Sequence, residues 1–184
     1  YRKAGKNTLG RKILARVNNS LSQLSPEAVF YDIIFARPSN STTDKEFAQS
    51  IKTLGNIYLP VTFITSDQPK AFRWEEGSGH EILKELIQQV PKEMGIPAPL
   101  HATKSMMSLD EIFSSTSHTG HINIFKDPDG AYRHYPLLVK LESGYIPSIP
   151  LALFLKFNGL SMENVTIDWG NEVRIAATKE SYLN

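Results

Sequence analysis

The sequence predicts an α/β fold: a mixed sheet with a parallel βαβ crossover plus antiparallel hairpins, and helices packed on the sheet. Three observations carry that expectation. A strand-length apolar run from Ala28 to Ala36 is followed by a helical pattern and then by a second strand-like run, Ile57 to Ile64. Alternating residues from His121 to Phe125 lead through Asp127-Pro128-Asp129-Gly130, a turn sequence, into Ala131 to Leu141. Leu9, Ile13, Leu14, Val17, Leu21 and Leu24 recur at three- and four-residue steps, the stripe of an amphipathic helix.

The first helix is expected from Thr8 to Leu24, with Pro26 as its stop. The run AVFYDIIFA, Ala28 to Ala36, is apolar throughout except at Asp32, the pattern of a central strand covered on both faces. Thr43 and Glu46 stand three apart, a capping box ahead of Phe47, Ile51 and Leu54, and Gly55 follows where a left-handed cap is needed. Pro60 has no N–H to give to a ladder, so the strand from Ile57 to Ile64 is expected at an edge or a bulge. Strand, helix, strand at this spacing makes a right-handed parallel crossover the default.

Thr65 to Gly77 is a polar connection, and Ser78 with Glu81 forms a second capping box before Ile82, Leu83, Leu86, Ile87 and Val90. Pro91 to Pro99 holds three prolines and Gly95 and is expected to be a loop. Ser108 and Glu111 open a short helix through Phe113. In the Asp127 to Gly130 turn, proline at the second position and glycine at the fourth fit a type I turn with a glycine bulge, closing an antiparallel hairpin. Pro150 opens a helix through Phe157 that Asn158 and Gly159 end, and Val165 to Ile175 forms a last hairpin around Gly170 and Asn171.

The chain has 184 residues, enough for one domain over residues 1–184 with a sizeable core. With 20 basic against 19 acidic side chains and a net charge of +1, there is no sequence-independent pull on nucleic acid. The absence of cysteine removes disulfides and thiolate metal sites. The richest apolar run, Ile146 to Phe157, is 12 residues long and contains Pro147 and Pro150. That is well short of the ~18 to 20 residues of a membrane span. The sequence begins at Tyr1 without methionine and is expected to be a piece of a larger protein, with flanking membrane helices outside it.

Asp32 is the most informative single residue, because a carboxylate inside an apolar strand must be paired, hydrogen-bonded or turned to a cavity. It either ties down a loop through backbone amides or an arginine, Arg37 or Arg133, or it touches a ligand at the strand ends. Asp127 and Asp129 lack the further acidic positions of a calcium loop and fit a turn. Arg133 is expected to pair with one of these aspartates or to clamp an anionic ligand. His118 and His121 stand at a metal-ligand spacing, but Thr119 and Gly120 between them mark a loop entering a strand, and Lys84 stands where a zincin helix starting at His80 would need histidine. No nucleophile elbow or phosphate loop occurs, so no catalytic residue, metal or cofactor is assigned.

Three segments together, YDIIFARPS at Tyr31 to Ser39, LGNIYLPV at Leu54 to Val61 and GHINIFKDPDGAYRHYPLLVKLESGYIPSIPLAL at Gly120 to Leu153, resemble the type-two CHASE domain, a sensing module associated with cyclases and histidine kinases. The family's recurring features fall on Asp32, on Gly55 and Asn56, on Gly120, Asn123, Asp129, Gly130 and Arg133, and on Pro147 with Ser148. The resemblance covers roughly Leu9 to Leu155 in order. It implies a domain outside the cytoplasmic membrane that feeds a cytoplasmic adenylate or diguanylate cyclase or a kinase, and whose product is a signal rather than a reaction. The ligand residues expected on that basis are Asp32, Arg37, Asn123 and Arg133, with Gly120, Asp127, Asp129 and Gly130 holding the hairpin. The expected partners are a small-molecule or protein signal, the membrane through flanking helices, and a second copy in a homodimer. A metal-dependent hydrolase using Asp32 with a histidine, and a module that only dimerises, are the competing expectations.

Overall fold

The computed structural model describes residues 10–95 and 100–176. Leu9 of the apolar stripe, and Pro97 and Pro99 of the proline-rich tract, lie outside the described residues. The mixed sheet is present: five strands follow the order β1 (Val29–Phe30), β2 (Ile57–Ser66), β4 (His101–Met106), β6 (Leu138–Leu141), β7 (Gly144–Pro147), and a sixth, β5 (His118–His121), also pairs with β2.

Helix α1 (Arg11–Leu21) passes through a 3₁₀ turn, Ser22–Leu24. Its buried face takes Leu14 from the apolar stripe but not the whole of it. Arg11, Leu14, Ala15 and Asn18 point inward, while Ile13, Val17 and Leu24 are exposed. The inward polar groups are satisfied: Arg11 pairs with Asp44, and Asn18 donates to Ser50 Oγ and accepts from Tyr31 Oη.

The parallel crossover runs β1 (Val29–Phe30), α2 (Ser41–Leu54), β2 (Ile57–Ser66), with Val29 opposite Ile57. Strand β1 is two residues long and lies at the sheet edge, so the central strand expected from Ala28 to Ala36 is corrected: the chain leaves the sheet before Asp32, which is exposed. The α2 cap also differs. Asn40 accepts from the Thr42 and Thr43 amides, three residues ahead of the expected capping box, and serves the first-turn donors that a helix cannot satisfy itself. Gly55 takes the left-handed conformation at the other end, with φ 80°.

Strand β2 is central rather than an edge. It pairs with β1 at Ile57 and Tyr58, with β4 (His101–Met106) from Thr62 to Ser66, and with β5 (His118–His121) from Tyr58 to Val61. The Tyr58 carbonyl accepts from the Tyr31 amide on the edge that β1 and β4 share, and the Ile64 carbonyl accepts from Thr103 on that same edge. Backbone alternation puts the missing Pro60 N–H on this edge, at the handover from one partner to the other, where no ladder bond is lost.

Helix α3 (Ser78–Glu85) is not opened by a Ser78 capping box, since Gly77 is its cap residue and Ser78 is the first helical residue. Lys92–Gly95, expected as loop, is strand β3, parallel to β8 (Val165–Trp169), which pairs antiparallel with β9 (Glu172–Ile175). Helix α4 (Asp110–Phe113) follows β4. Strands β6 (Leu138–Leu141) and β7 (Gly144–Pro147) form a hairpin, and α5 (Ile149–Phe157) starts from Ser148, whose hydroxyl accepts from the Leu151 amide. The ladder expected on both sides of Asp127–Gly130 reduces to one bridge, Phe125 to His134, because Leu138–Leu141 pairs with β7 instead.

Two apolar clusters share the β6–β7 hairpin. Val139, Leu141 and Ile146 join the larger one with α1, α2, α3, α4 and β2, while Leu138 and Tyr145 join Leu151, Leu155, Val165 and Ile167 in the smaller. This is the period-two alternation of a strand buried on both faces.

Candidate functional site

A cleft of about 780 Å³ opens where the β2–β4 pair meets the starts of α3 and α4. Its volume lies within the usual range for small-molecule sites. The apolar wall comes from Ala36, Phe63, Ile64, Met106, Met107 and Leu109, and the polar groups from Glu75, Glu76, His80, Lys104, Ser105 and Asp110.

Each polar group is held for a local reason. His80 sits in the first turn of α3, is buried, and has Nε2 3.1 Å from the Ser105 hydroxyl on β4. Asp110 supplies the cap that α3 lacks: one carboxylate oxygen accepts from the Gly79 amide at 3.2 Å. The carboxylate approaches so closely that a Cβ on Gly77 would stand 2.0 Å from it and one on Gly79 2.7 Å, so the Gly-Ser-Gly sequence is the seat of Asp110. Gly77 has φ 142°, a second reason for glycine there. Lys104 reaches Glu75 at 3.2 Å across the mouth and holds that carboxyl below its usual range.

One edge of the cleft is tied to α1. The Phe35 amide donates to Ser108 Oγ at 3.0 Å, and the Leu109 amide donates to the Phe35 carbonyl at 3.1 Å. From the other side the Arg11 guanidinium donates to the Phe35 and Arg37 carbonyls and pairs with Asp44. Burial alone would push the Asp44 carboxyl up, but the Arg11 hydrogen bond, the Ser39 amide and the Arg11 charge together hold it below the usual range. The segment from Phe35 to Arg37 is thus clamped between α1 and the cleft wall.

The four residues expected to touch a ligand do not line this cleft. Asp32 is exposed, and its charge is felt by Tyr135, whose hydroxyl is pushed up first by burial and then by Asp32. The Arg37 side chain is exposed and its carbonyl serves Arg11. Asn123 is buried and completes the β2 ladder beyond β5, its side chain accepting from the Phe63 amide at 2.9 Å and donating to the Phe63 carbonyl at 2.7 Å. It supports the strand that lines the cleft from behind. The Arg133 guanidinium is taken by Asp127 at 3.0 Å and Asp129 at 2.7 Å, not by Asp32. Gly130 has φ 84°, and its amide donates to the Asp127 carbonyl at 2.8 Å, closing the turn. Gly120 lies against α5, where a Cβ would stand 2.8 Å from the Ile149 amide nitrogen.

The cleft residues escaped sequence reasoning because Thr65 to Gly77 carries no periodic pattern and β4 is short and half polar. The legible signal was Glu75-Glu76 followed by Gly77-Ser78-Gly79 immediately before a helix. No carboxylate orients the second ring nitrogen of His80 among the described residues, so the His80–Ser105 contact lacks the third group of a catalytic triad. No three His, Asp or Glu side chains among the described residues converge to hold a metal.

The fold is a mixed-sheet α/β domain with a cleft lined by both apolar and polar side chains. The CHASE2 domain model matches residues 1–183, and the chain belongs to the CHASE2 family, extracytoplasmic sensory domains of signalling receptors. No curated protein and no solved structure shows significant similarity to it. No helix among the described residues is long and apolar enough to cross a membrane.

Proposed function

We propose that this chain is the extracytoplasmic input domain of a transmembrane receptor whose cytoplasmic part is a cyclase or kinase, and that its signal is a small molecule taken into the cleft between β2, β4, α3 and α4. The observation that carries this reading is the clamp at Phe35: one face of that residue's backbone is bonded to Ser108 and Leu109 of the cleft wall, the other to Arg11 of α1. A ligand that repositions Ser108 and Leu109 has differential contacts with two arrangements of that segment, the requirement for shifting a two-state equilibrium. Helix α1, at the amino end of the described residues, carries the shift towards the membrane.

The test is made in the full-length receptor with Ala36→Trp, which fills the cleft from an exposed position. Signal-dependent output is expected to be lost while the isolated domain keeps its melting temperature. Normal output from that variant would remove the cleft from sensing.

A second copy is a further partner of the same reading, favoured by a specific observation. Ile13, Val17 and Leu24 leave an apolar stripe on the outside of α1 and its 3₁₀ extension, 49 %, 42 % and 75 % exposed. Patches of this kind mark association surfaces.

A further inference from the structure

We propose that the ligand of the cleft is an amine: a cationic head group on an apolar, aromatic-sized body. The inference deepens the reading of the cleft as the sensing site and rests on it. Charge accounting in the cleft leaves no place for an anion. Lys104, the only cationic residue lining it, is paired with Glu75. At the start of α3, the usual anion seat, the Gly79 amide is already taken by Asp110, whose own negative charge stands there. What remains is negative. Glu76 makes no ion pair or hydrogen bond among the described residues, and Asp110 has a second oxygen that only glycine can tolerate beside it.

An independent feature points to a ligand as well. His80 is only 6 % exposed, lines the cleft, and makes its one side-chain hydrogen bond through Nε2, so Nδ1 is without a partner among the described residues. With the proton on Nε2 this nitrogen is an acceptor for an ammonium N–H. Phe63, Met106, Met107 and Leu109 line the same cleft. Thioethers favour contact with aromatic rings, while Glu76 and Asp110 are exposed at the rim, where an ammonium meets them without being stripped of all its water. A head group bound by Glu76, Asp110 and His80 therefore places its body against the two methionines.

The experiment uses the folded domain and three probes of one shape: tryptamine, tryptophol and indole-3-acetate, titrated calorimetrically into wild type, Glu76→Gln and Ala36→Trp. Tryptamine is expected to bind about tenfold or more tightly than tryptophol, with indole-3-acetate weakest, and Glu76→Gln to weaken tryptamine about threefold to tenfold without moving tryptophol. Ala36→Trp is expected to abolish binding. Tighter binding of the alcohol or the acid, still abolished by Ala36→Trp, overturns the amine while the cleft stands as the site. Equal affinities, affinity indifferent to Ala36→Trp, or no saturable binding at about millimolar concentration also overturn the amine. The sensing role of the cleft falls separately, on unchanged receptor output from Ala36→Trp.

Discussion

At the scale of single residues, His121 carries the clearest consequence. It ends β5 fully buried, stacked on Tyr135 with ring centroids 6.0 Å apart, and its Nδ1 accepts from the Asn123 amide at 3.3 Å. Burial pushes its pKa down to about 4, against a smaller opposing effect from a backbone bond at Leu137. The imidazole is therefore neutral in the folded domain at a pH where the unfolded chain protonates it. With an unfolded pKa of about 6.5, the stability is intact above that value, falls as pH drops from 6.5, and is fully lost below about 4. The loss is on the order of 3 kcal/mol from this residue, with His118 and His101, also lowered by burial, acting in the same direction. Urea titrations at pH 7, 6, 5 and 4.5 are expected to show that decline, and His121→Gln to flatten it while lowering stability at pH 7. A slope unaltered by the substitution would assign the acid sensitivity elsewhere.

At the scale of elements, the instructive case is α1 against α2. Their contact combines a buried ion pair, Arg11 with Asp44, with Leu14 and Ala15 packed in the core, and leaves Ile13 and Val17 of the apolar stripe outside. Breaking such a pair from one side strands the other charge: Asp44→Ala is expected to cost about 3 to 5 kcal/mol in chemical denaturation, whereas Arg11→Met with Asp44→Leu recovers most of it. If Arg11 is the relay, the double variant folds and binds but no longer passes the signal in the receptor. Retained signalling would make the pair structural only. The same helix shows what was legible in the sequence. Periodicity located α1, α2, α3 and α5 and the β8–β9 hairpin, because those segments report a repeating burial pattern or a specific turn residue. It could not say which face of α1 turns inward, since Arg11 and Asn18 are satisfied by partners 13 to 33 positions away. Strands β3 and β4 were hidden for a related reason: they are short, half polar, and made strands by partners far along the chain, Lys92 by Thr166 and Met106 by Thr62. The cleft inherits that opacity, being assembled from a patternless loop, an unseen strand and the carboxylate that caps a neighbouring helix.

For the whole molecule, the question is how a cleft beside α3 and α4 can alter anything beyond the domain, and the proposed physical link is the exposed stripe of α1. Ile13, Val17, Ser20 and Leu24 follow steps of four, three and four, the spacing of a helix–helix seam. Two copies related by a twofold axis would each offer the same strip, which is how an isologous interface closes without leaving an open patch. Burying each large side chain contributes about 1.5 to 3 kcal/mol, before the cost of association, so three per copy support a weak, adjustable dimer rather than a permanent one. Such an interface responds to a small movement of α1, and α1 is the helix that Arg11 fastens to the cleft wall. Sedimentation of the isolated domain is expected to show a concentration-dependent monomer–dimer equilibrium, with Ile13→Lys plus Val17→Lys giving monomer alone at an unchanged melting temperature, because both positions face solvent in the single copy. A wild-type domain that remains monomeric at about millimolar concentration, the effective concentration of tethered partners, would leave α1 to act on the membrane segment without a partner.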